Sequence, residues 1–264
     1  MDRRRVTPPP ERRSPRIDLD DVMYGIHAVT EALNAGEPLR RIHVGDDRKR
    51  DPVLRGLLER ARESGIPVRF ENRSFFGAFP YKAHQSVVAF GAPFEYITLD
   101  EAIALRPQTN HGLWVILDHV TDPYNVGAII RTAESVGATA LILPERRSAG
   151  VNATVRKASA GATAYLPIAR VANVAQSVRA MKKAGIWIAG AAVAPAAVAY
   201  TRADFNCALA LVIGAEGAGI SALVQRECDY LVTIPMEGKV ASLNASVAAA
   251  VLLYEALRQR AAEM

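Results

Sequence analysis

The sequence predicts an α/β protein with a parallel sheet in its C-terminal half and a smaller α/β unit before it. Three observations carry that expectation. From residue 113 onward, apolar runs of strand length alternate with amphipathic helical stretches, the pattern of a parallel sheet covered on both faces. Residues 91–112 break that rhythm with Pro93, Pro107 and a polar Gln-Thr-Asn-His run, which reads as a boundary between units. Within 211–254, two strand-to-helix crossings follow one another closely, where open α/β sheets carry most of their ligand chemistry.

Each element follows in turn. Residues 1–20 hold Arg3, Arg4, Arg5, Arg12, Arg13 and Arg16 among prolines and are expected to be a disordered basic tail. The small unit spans 21–92. Tyr24-Gly25-Ile26-His27-Ala28-Val29 leads into a helix that ends at Gly36. Strands are expected at 41–44, 66–70 and 86–90, and helices at 52–64 and 74–79. Residues 93–111 form the linker, with one short helix at 100–105. The larger domain, 112–264, should place strands at 113–117, 139–143, 165–169, 186–189, 211–214 and 231–234. Its helices should lie at 126–136, 153–159, 174–183 and 246–258.

Composition narrows the classes. Half of the 264 residues are apolar, enough for one large core or two modest ones. No apolar run nears a membrane span and no signal peptide is visible. Cys207 and Cys228 sit in apolar patterns, so buried thiols in a reducing cytoplasm are expected. No His/Cys cluster has zinc-like spacing, and no metal is expected. The net charge of +5, with a second basic cluster at Arg40, Arg41, Arg48, Lys49 and Arg50, favours a nucleic-acid partner without requiring one.

The apolar run at 211–213 ends in Gly214-Ala215-Glu216-Gly217-Ala218-Gly219. This turn matches neither the dinucleotide fingerprint nor the P-loop. Glu216 would oppose a pyrophosphate at a helix N-terminus, whereas a ligand with an adenosine part, no phosphates and a positive centre suits it. S-adenosylmethionine is such a ligand; a solvent-facing turn is the plain alternative. The strand at 113–117 ends in a second motif, Asp118-His119-Val120-Thr121-Asp122-Pro123-Tyr124-Asn125-Val126-Gly127. The helix after it carries Arg131 and Glu134 opposite its apolar side. They are either a surface ion pair or, for Arg131, a group near the C-terminal edge of the sheet where the glycine turn opens.

Three ordered segments, 118–133, 212–220 and 234–246, resemble the motifs of SPOUT-superfamily RNA ribose methyltransferases of the TrmH group. The resemblance covers about 22–260. The stretch 24–29 and the pair His84-Gln85 look most like the large-subunit ribosomal RNA guanosine 2′-O-methyltransferases. Ala245 and Ser86 depart from the usual Val and Gly at their positions.

The resemblance implies a deep trefoil knot in the C-terminal domain, against the rarity of knots, and a homodimer in which the second subunit helps complete each site. It implies S-adenosylmethionine held at Gly214, Glu216, Ile234, Met236 and Leu243. Arg131, Asn125, Ser242, Asn244 and Glu216 would form the reaction site, with RNA, ribosomal rather than transfer, as substrate. A non-catalytic RNA-binding factor and a nicotinamide oxidoreductase are the competing classes. The five polar residues speak against the first and the missing fingerprint against the second.

Overall fold

The computed structural model describes residues 21–105, 107, 111–240 and 242–261. The basic tail at 1–20, expected to be disordered, lies outside the described residues.

The small unit is built on a four-stranded sheet of β1 (Val22–Tyr24), β2 (Arg41–Gly45), β3 (Val68–Glu71) and β4 (Val87–Phe90), in the order β1-β4-β2-β3. Only β2 and β3 run parallel. Strand β1 is an addition to the sequence reading, which ran Tyr24 straight into the helix; its three residues pair antiparallel with β4. Helices α1 (Ile26–Asn34) and α2 (Arg55–Glu63) cover one face around Ile42, Val44, Leu54 and Leu57. On the other face α3 (Arg73–Gly77), started by the Asn72 cap, brings Phe76 against Val22, Tyr24 and Val88.

The basic cluster of the sequence is largely neutralised here: Arg40 pairs with Asp21, Arg48 with Asp51 and Lys49 with Asp46. Positive charge without an acidic ion-pair partner among the described residues sits instead on the sheet face. There Arg41 lies 4.5 Å over the Phe90 ring, and Arg69 is level with His43 on the neighbouring strand.

The described part of the expected linker from Phe94 to Ala104 is docked. Ile97 bridges Ala169, and α4 (Leu99–Ala104) receives a hydrogen bond from the Trp114 indole to Ala102 O, 2.8 Å. A capping box at Thr98 and Glu101 starts α4.

The larger domain carries a seven-stranded, all-parallel sheet in the order β7-β6-β5-β10-β8-β11-β9. Its strands are β5 (Leu113–Asp118), β6 (Ala140–Pro144), β7 (Ile168–Val171), β8 (Trp187–Ala191), β9 (Val198–Ala199), β10 (Leu209–Gly214) and β11 (Tyr230–Thr233). Alternation along each strand divides two cores. Val115, Leu117, Leu211 and Ile213 meet α5 (Pro123–Ser135), α6 (Ala153–Ala158) and α9 (Ala245–Ala261). Trp114, Ile116, Ala210 and Val212 meet α4, α7 (Val174–Lys183) and α8 (Ala222–Glu227). Burying each such side chain contributes about 1.5–3 kcal/mol.

Strand β7 starts later than the sequence suggested. Pro167 cannot donate to the ladder, and the N–H groups of Tyr165 and Leu166 turn back to Ala162 O. Helix α5 starts earlier, at Pro123. The Asp122 carboxylate accepts from Tyr124 N at 3.0 Å, and proline at the first position has its φ already set for a helix. Helix α9 runs past 258 because Arg260 is buried, its guanidinium donating to the carbonyls of Phe205, Gly112 and Cys207. After β11 the chain returns past the end of β10 to α9, which packs on α5 and β10. Among the described residues no helix is long and apolar enough to cross a membrane.

Candidate active site

Three strand ends meet at one edge of the sheet. Strand β5 ends in Asp118, which is fully buried. One carboxylate oxygen accepts from Ser221 N at 2.7 Å and the other lies 2.6 Å from His119 Nδ1. Asp118 thereby holds the exit of the glycine turn that follows β10.

Within that turn Ala215 and Gly219 exchange backbone hydrogen bonds at 3.1 and 2.8 Å. Gly217 and Gly219 take φ of 74° and 65°, the left-handed region glycine tolerates. Gly214 is required by contact: a Cβ there would lie 2.1 Å from the carbonyl carbon of Gly219.

The turn forms one wall of a cleft of about 400 Å³. Gly214, Glu216, Ile234, Met236 and Leu243 all line it, with Ser242 at its side and Ala191–Val193 opposite. The structure therefore brings the residues expected to hold the methyl donor into one place, although they come from two separate loops. Among the described residues the lining is mainly apolar side chains and backbone, with Gln225, Thr233 and Ser242 as neutral polar groups, one carboxylate and no Lys, Arg or His. A volume of this size is normal for a small-molecule site, and a cationic ligand without phosphates fits that chemistry. Cys228 lies behind the cleft, its Sγ 2.8 Å from where a Cβ on Gly190 would stand. Burial pushes its thiol up to about 12, so it is packing and not a nucleophile.

Beside the cleft, three polar side chains close on one another. Asn125 lies in the first turn of α5, 5 % exposed, and donates from Nδ2 to Glu216 Oε1 at 3.1 Å. Asn244 Nδ2 donates to Asn125 Oδ1 at 2.9 Å and also to Glu216 Oε1. The Asn244 carbonyl oxygen accepts from Ser246 N at 2.9 Å and Val247 N at 3.3 Å, which caps α9. One cluster thus joins the glycine turn, the first helix after β5 and the last helix of the chain.

Arg131 is not brought there within one chain. It is exposed, absent from the cleft lining, and its guanidinium has no hydrogen-bond or ion-pair partner among the described residues, Glu134 included. Six residues along an α-helix are about 9 Å of rise and about 240° of turn, so Asn125 and Arg131 cannot share a face. Arg131 instead shares an outer face with Tyr124 and Ser135, both exposed. Arg131, expected at a reaction site that a second subunit helps to complete, thus stands outside the cleft of its own chain. Sequence reasoning also missed Asp118 as an organiser of the turn. The available signal was an acid at the end of a wholly apolar strand.

Residues 112–254 match the SpoU rRNA methylase family, and residues 22–97 match the RNA 2′-O ribose methyltransferase substrate-binding family. The chain is 41 % identical over 257 residues to the "Uncharacterized tRNA/rRNA methyltransferase slr0955" of Synechocystis, covering 97 % of this chain and 67 % of that protein. The SpoU methyltransferase AviRb of Streptomyces viridochromogenes, solved with AdoMet, superposes with a TM-score of 0.75 at 31 % identity, over 91 % of this chain and 90 % of that one. An AdoMet-bound rRNA methyltransferase from Sinorhizobium meliloti superposes with a TM-score of 0.74 at 26 % identity, covering 90 % and 86 %. With that agreement across both units, and a cleft whose chemistry suits the same methyl donor, the chain belongs to the SpoU rRNA methylase family and is an S-adenosylmethionine-dependent RNA 2′-O-ribose methyltransferase.

Proposed function

We propose that this enzyme methylates the ribose 2′-OH of a guanosine in large-subunit ribosomal RNA, working in the cytoplasm as a homodimer in which Arg131 serves the partner's cleft. The observation that carries the site is the cation-free cleft joined through Glu216 to Asn125 and Asn244. The ribosomal assignment is supported by a folded small unit ahead of the catalytic domain and by the rRNA methyltransferase among its structural relatives.

When bound, S-adenosylmethionine supplies a methyl carbon already activated by its sulfonium leaving group. Gly214, Ile234, Met236 and Leu243 would hold it, with Glu216 facing its positive end. The protein's remaining task is alignment, and positioning alone supplies about 7–11 kcal/mol of barrier in favourable intramolecular cases. Asn125 and Asn244 orient the ribose edge, and Ser242 contacts substrate or donor from the opposite loop. Arg131 offers a guanidinium, a set of donors with no acceptor site for a proton. It therefore acts by holding the adjacent phosphate and stabilising developing alkoxide charge, not as a base. The two unpaired thiols go with a reducing compartment.

Arg131→Ala should abolish methyl transfer while leaving S-adenosylmethionine affinity within a few-fold by calorimetry. Mixing Arg131→Ala chains with Gly214→Val chains, each inactive alone, should restore part of the activity, because mixed dimers hold one complete site. No recovery in dimers shown to have exchanged would place Arg131 outside the partner's site. Methyl labelling of ribosomal RNA fragments against transfer RNA tests the substrate, and label confined to transfer RNA overturns the ribosomal assignment.

A further inference from the structure

Two stretches of the small unit, 24–29 and His84-Gln85, took no part in the cleft. The structure brings them together against the larger domain. Gln85 Oε1 accepts from Ile26 N at 3.3 Å and from Lys157 Nζ, on α6, at 2.9 Å. Gly25, with φ of 91°, lies beneath that ammonium, and a Cβ there would stand 2.2 Å from Nζ. The Gln85 carbonyl is in turn held by Arg48.

The preceding residue, Arg156, is 3 % exposed and enters the small unit more deeply. Its Nη1 donates to Glu37 Oε2 at 2.6 Å and meets Met23 Sδ at 3.3 Å, and the guanidinium lies 5.3 Å from the centre of the Phe94 ring. Tyr165 adds a hydrogen bond to Glu31 at 2.7 Å. Two neighbouring residues of one short helix therefore grip β1, the end of α1, the 84–86 turn and the docked linker together. A buried charge of this kind adds little stability against a well-packed apolar seam, because desolvation offsets the attraction.

Helix α6 also packs on α5, the helix that carries Asn125. Gly127 of α5 lets α6 approach so closely that a Cβ on it would lie 2.4 Å from Ala158 Cβ. Asn125 stands two residues before that contact. A continuous path of packed atoms thus runs from the small unit through Arg156 and Lys157 to the helix that carries Asn125.

We propose that Arg156 and Lys157 clamp the small unit in one orientation and so set which nucleotide of the bound RNA reaches the cleft. Gly25, Glu37 and Gln85 are the receiving side of that clamp. All five are positioning residues, and 24–29 and His84-Gln85 are a docking seam rather than an RNA-reading surface. The clamp itself stands on geometry alone, and only the choice of nucleotide rests on the ribosomal reading above.

The test uses the full chain with Cys207→Ser and Cys228→Ala, spin-labelled at Arg62→Cys in the small unit and Lys183→Cys in the larger domain. With labelled chain diluted into excess unlabelled chain, so that a dimer carries one labelled pair, pulsed resonance should give one narrow distance distribution in that parent and a broadened one in Arg156→Met and in Gln85→Ala. Gln85→Glu, which can still accept from both donors, should keep it narrow. In unlabelled enzyme the two disruptive variants should bind S-adenosylmethionine normally. Their KM for structured RNA should rise by about tenfold with kcat nearly unchanged, equivalent to about 1.4 kcal/mol, and methyl label should spread to neighbouring nucleotides.

A narrow distribution in both variants overturns the clamp; Gln85→Ala at the exposed rim decides this if Arg156→Met does not fold. A broadened distribution with unchanged KM and an unchanged methylation site overturns the control of position. If the parent methylates no RNA, the functional reading falls and control of position with it, while the distance measurement still decides the clamp.

Discussion

Asn244 divides its side chain between two tasks. The carbonyl oxygen caps α9, and the amide nitrogen ties that cap to Asn125 and Glu216. Substitutions can separate the two. Asn244→Asp keeps an acceptor for the cap but donates nothing and sets a second carboxylate beside Glu216. Its stability to urea should change by less than the cost of Asn244→Ala, which should lose about 1 kcal/mol with the cap. Both should lose methyl transfer at least tenfold, about 1.4 kcal/mol of transition-state stabilisation. Full activity in Asn244→Asp would show that only the cap matters.

His43 is a residue-scale feature of the small unit. It is buried, stacked on Phe75 and 3.0 Å from Glu71, with Nε2 lacking a partner among the described residues. Burial is the largest influence and lowers its pKa from 6.5; Arg41 and Arg69 push the same way, while Glu71 opposes them. Burial lowers His84 in the same direction. The folded state therefore binds fewer protons than the unfolded one below about 6.5. The stabilisation is present above that pH and is lost as pH falls from it through the lowered folded values. Thermal melts should show Tm falling between pH 7.5 and 5.5, and His43→Phe should flatten part of that slope. An unchanged slope in His43→Phe would move the effect elsewhere.

At the scale of elements, the contact between α5 and α6 is set by one missing side chain. Gly127→Ala would gain about 1 kcal/mol of helix propensity. The added Cβ, however, would stand 2.9 Å from Val155 O and 2.4 Å from Ala158 Cβ. Backbone cannot yield as a side chain does, and overpacking of this kind costs about 1–3 kcal/mol. Sterics should win, so Tm should fall. Gly56 in α2 is the internal control: a Cβ there meets nothing within 4 Å, and Gly56→Ala should raise Tm through propensity alone. Both substitutions moving Tm the same way would contradict the packing account. Helix positions themselves were legible from apolar spacing, within a few residues. The displaced ends followed Pro123, Pro167 and Arg260, where capping, a missing donor or a long-range carbonyl cluster overrides the local pattern.

For the whole molecule, the proposed assembly turns on the outer faces of α5 and α9. Val247 and Tyr254 on α9, 47 % and 54 % exposed, are large apolar side chains left uncovered, as is Tyr124 on the face of α5 that carries Arg131. Under the proposed dimer, Val247→Asp with Tyr254→Arg should give a monomer by light scattering, with an unchanged circular dichroism spectrum and no methyl transfer. A double variant that stays dimeric, or a fully active monomer, would remove the reason for placing Arg131 in the partner's site.

The sequence by itself determined the parallel sheet, the two-unit plan and the two loops of the cleft. These depend on backbone preference and on side-chain periods of two or of about 3.6 residues, which local composition expresses directly. It could not show that Asn125 and Glu216, 91 residues apart, meet on Asn244, or that Gln85 receives Lys157 from 72 residues away. Nor could it show that Arg40, Arg48 and Lys49 are neutralised by neighbouring acids, or that Arg131 is exposed and outside the lining of its own chain's cleft. Those outcomes depend on helix phase and on which strand ends come side by side, and only the packed tertiary structure fixes them.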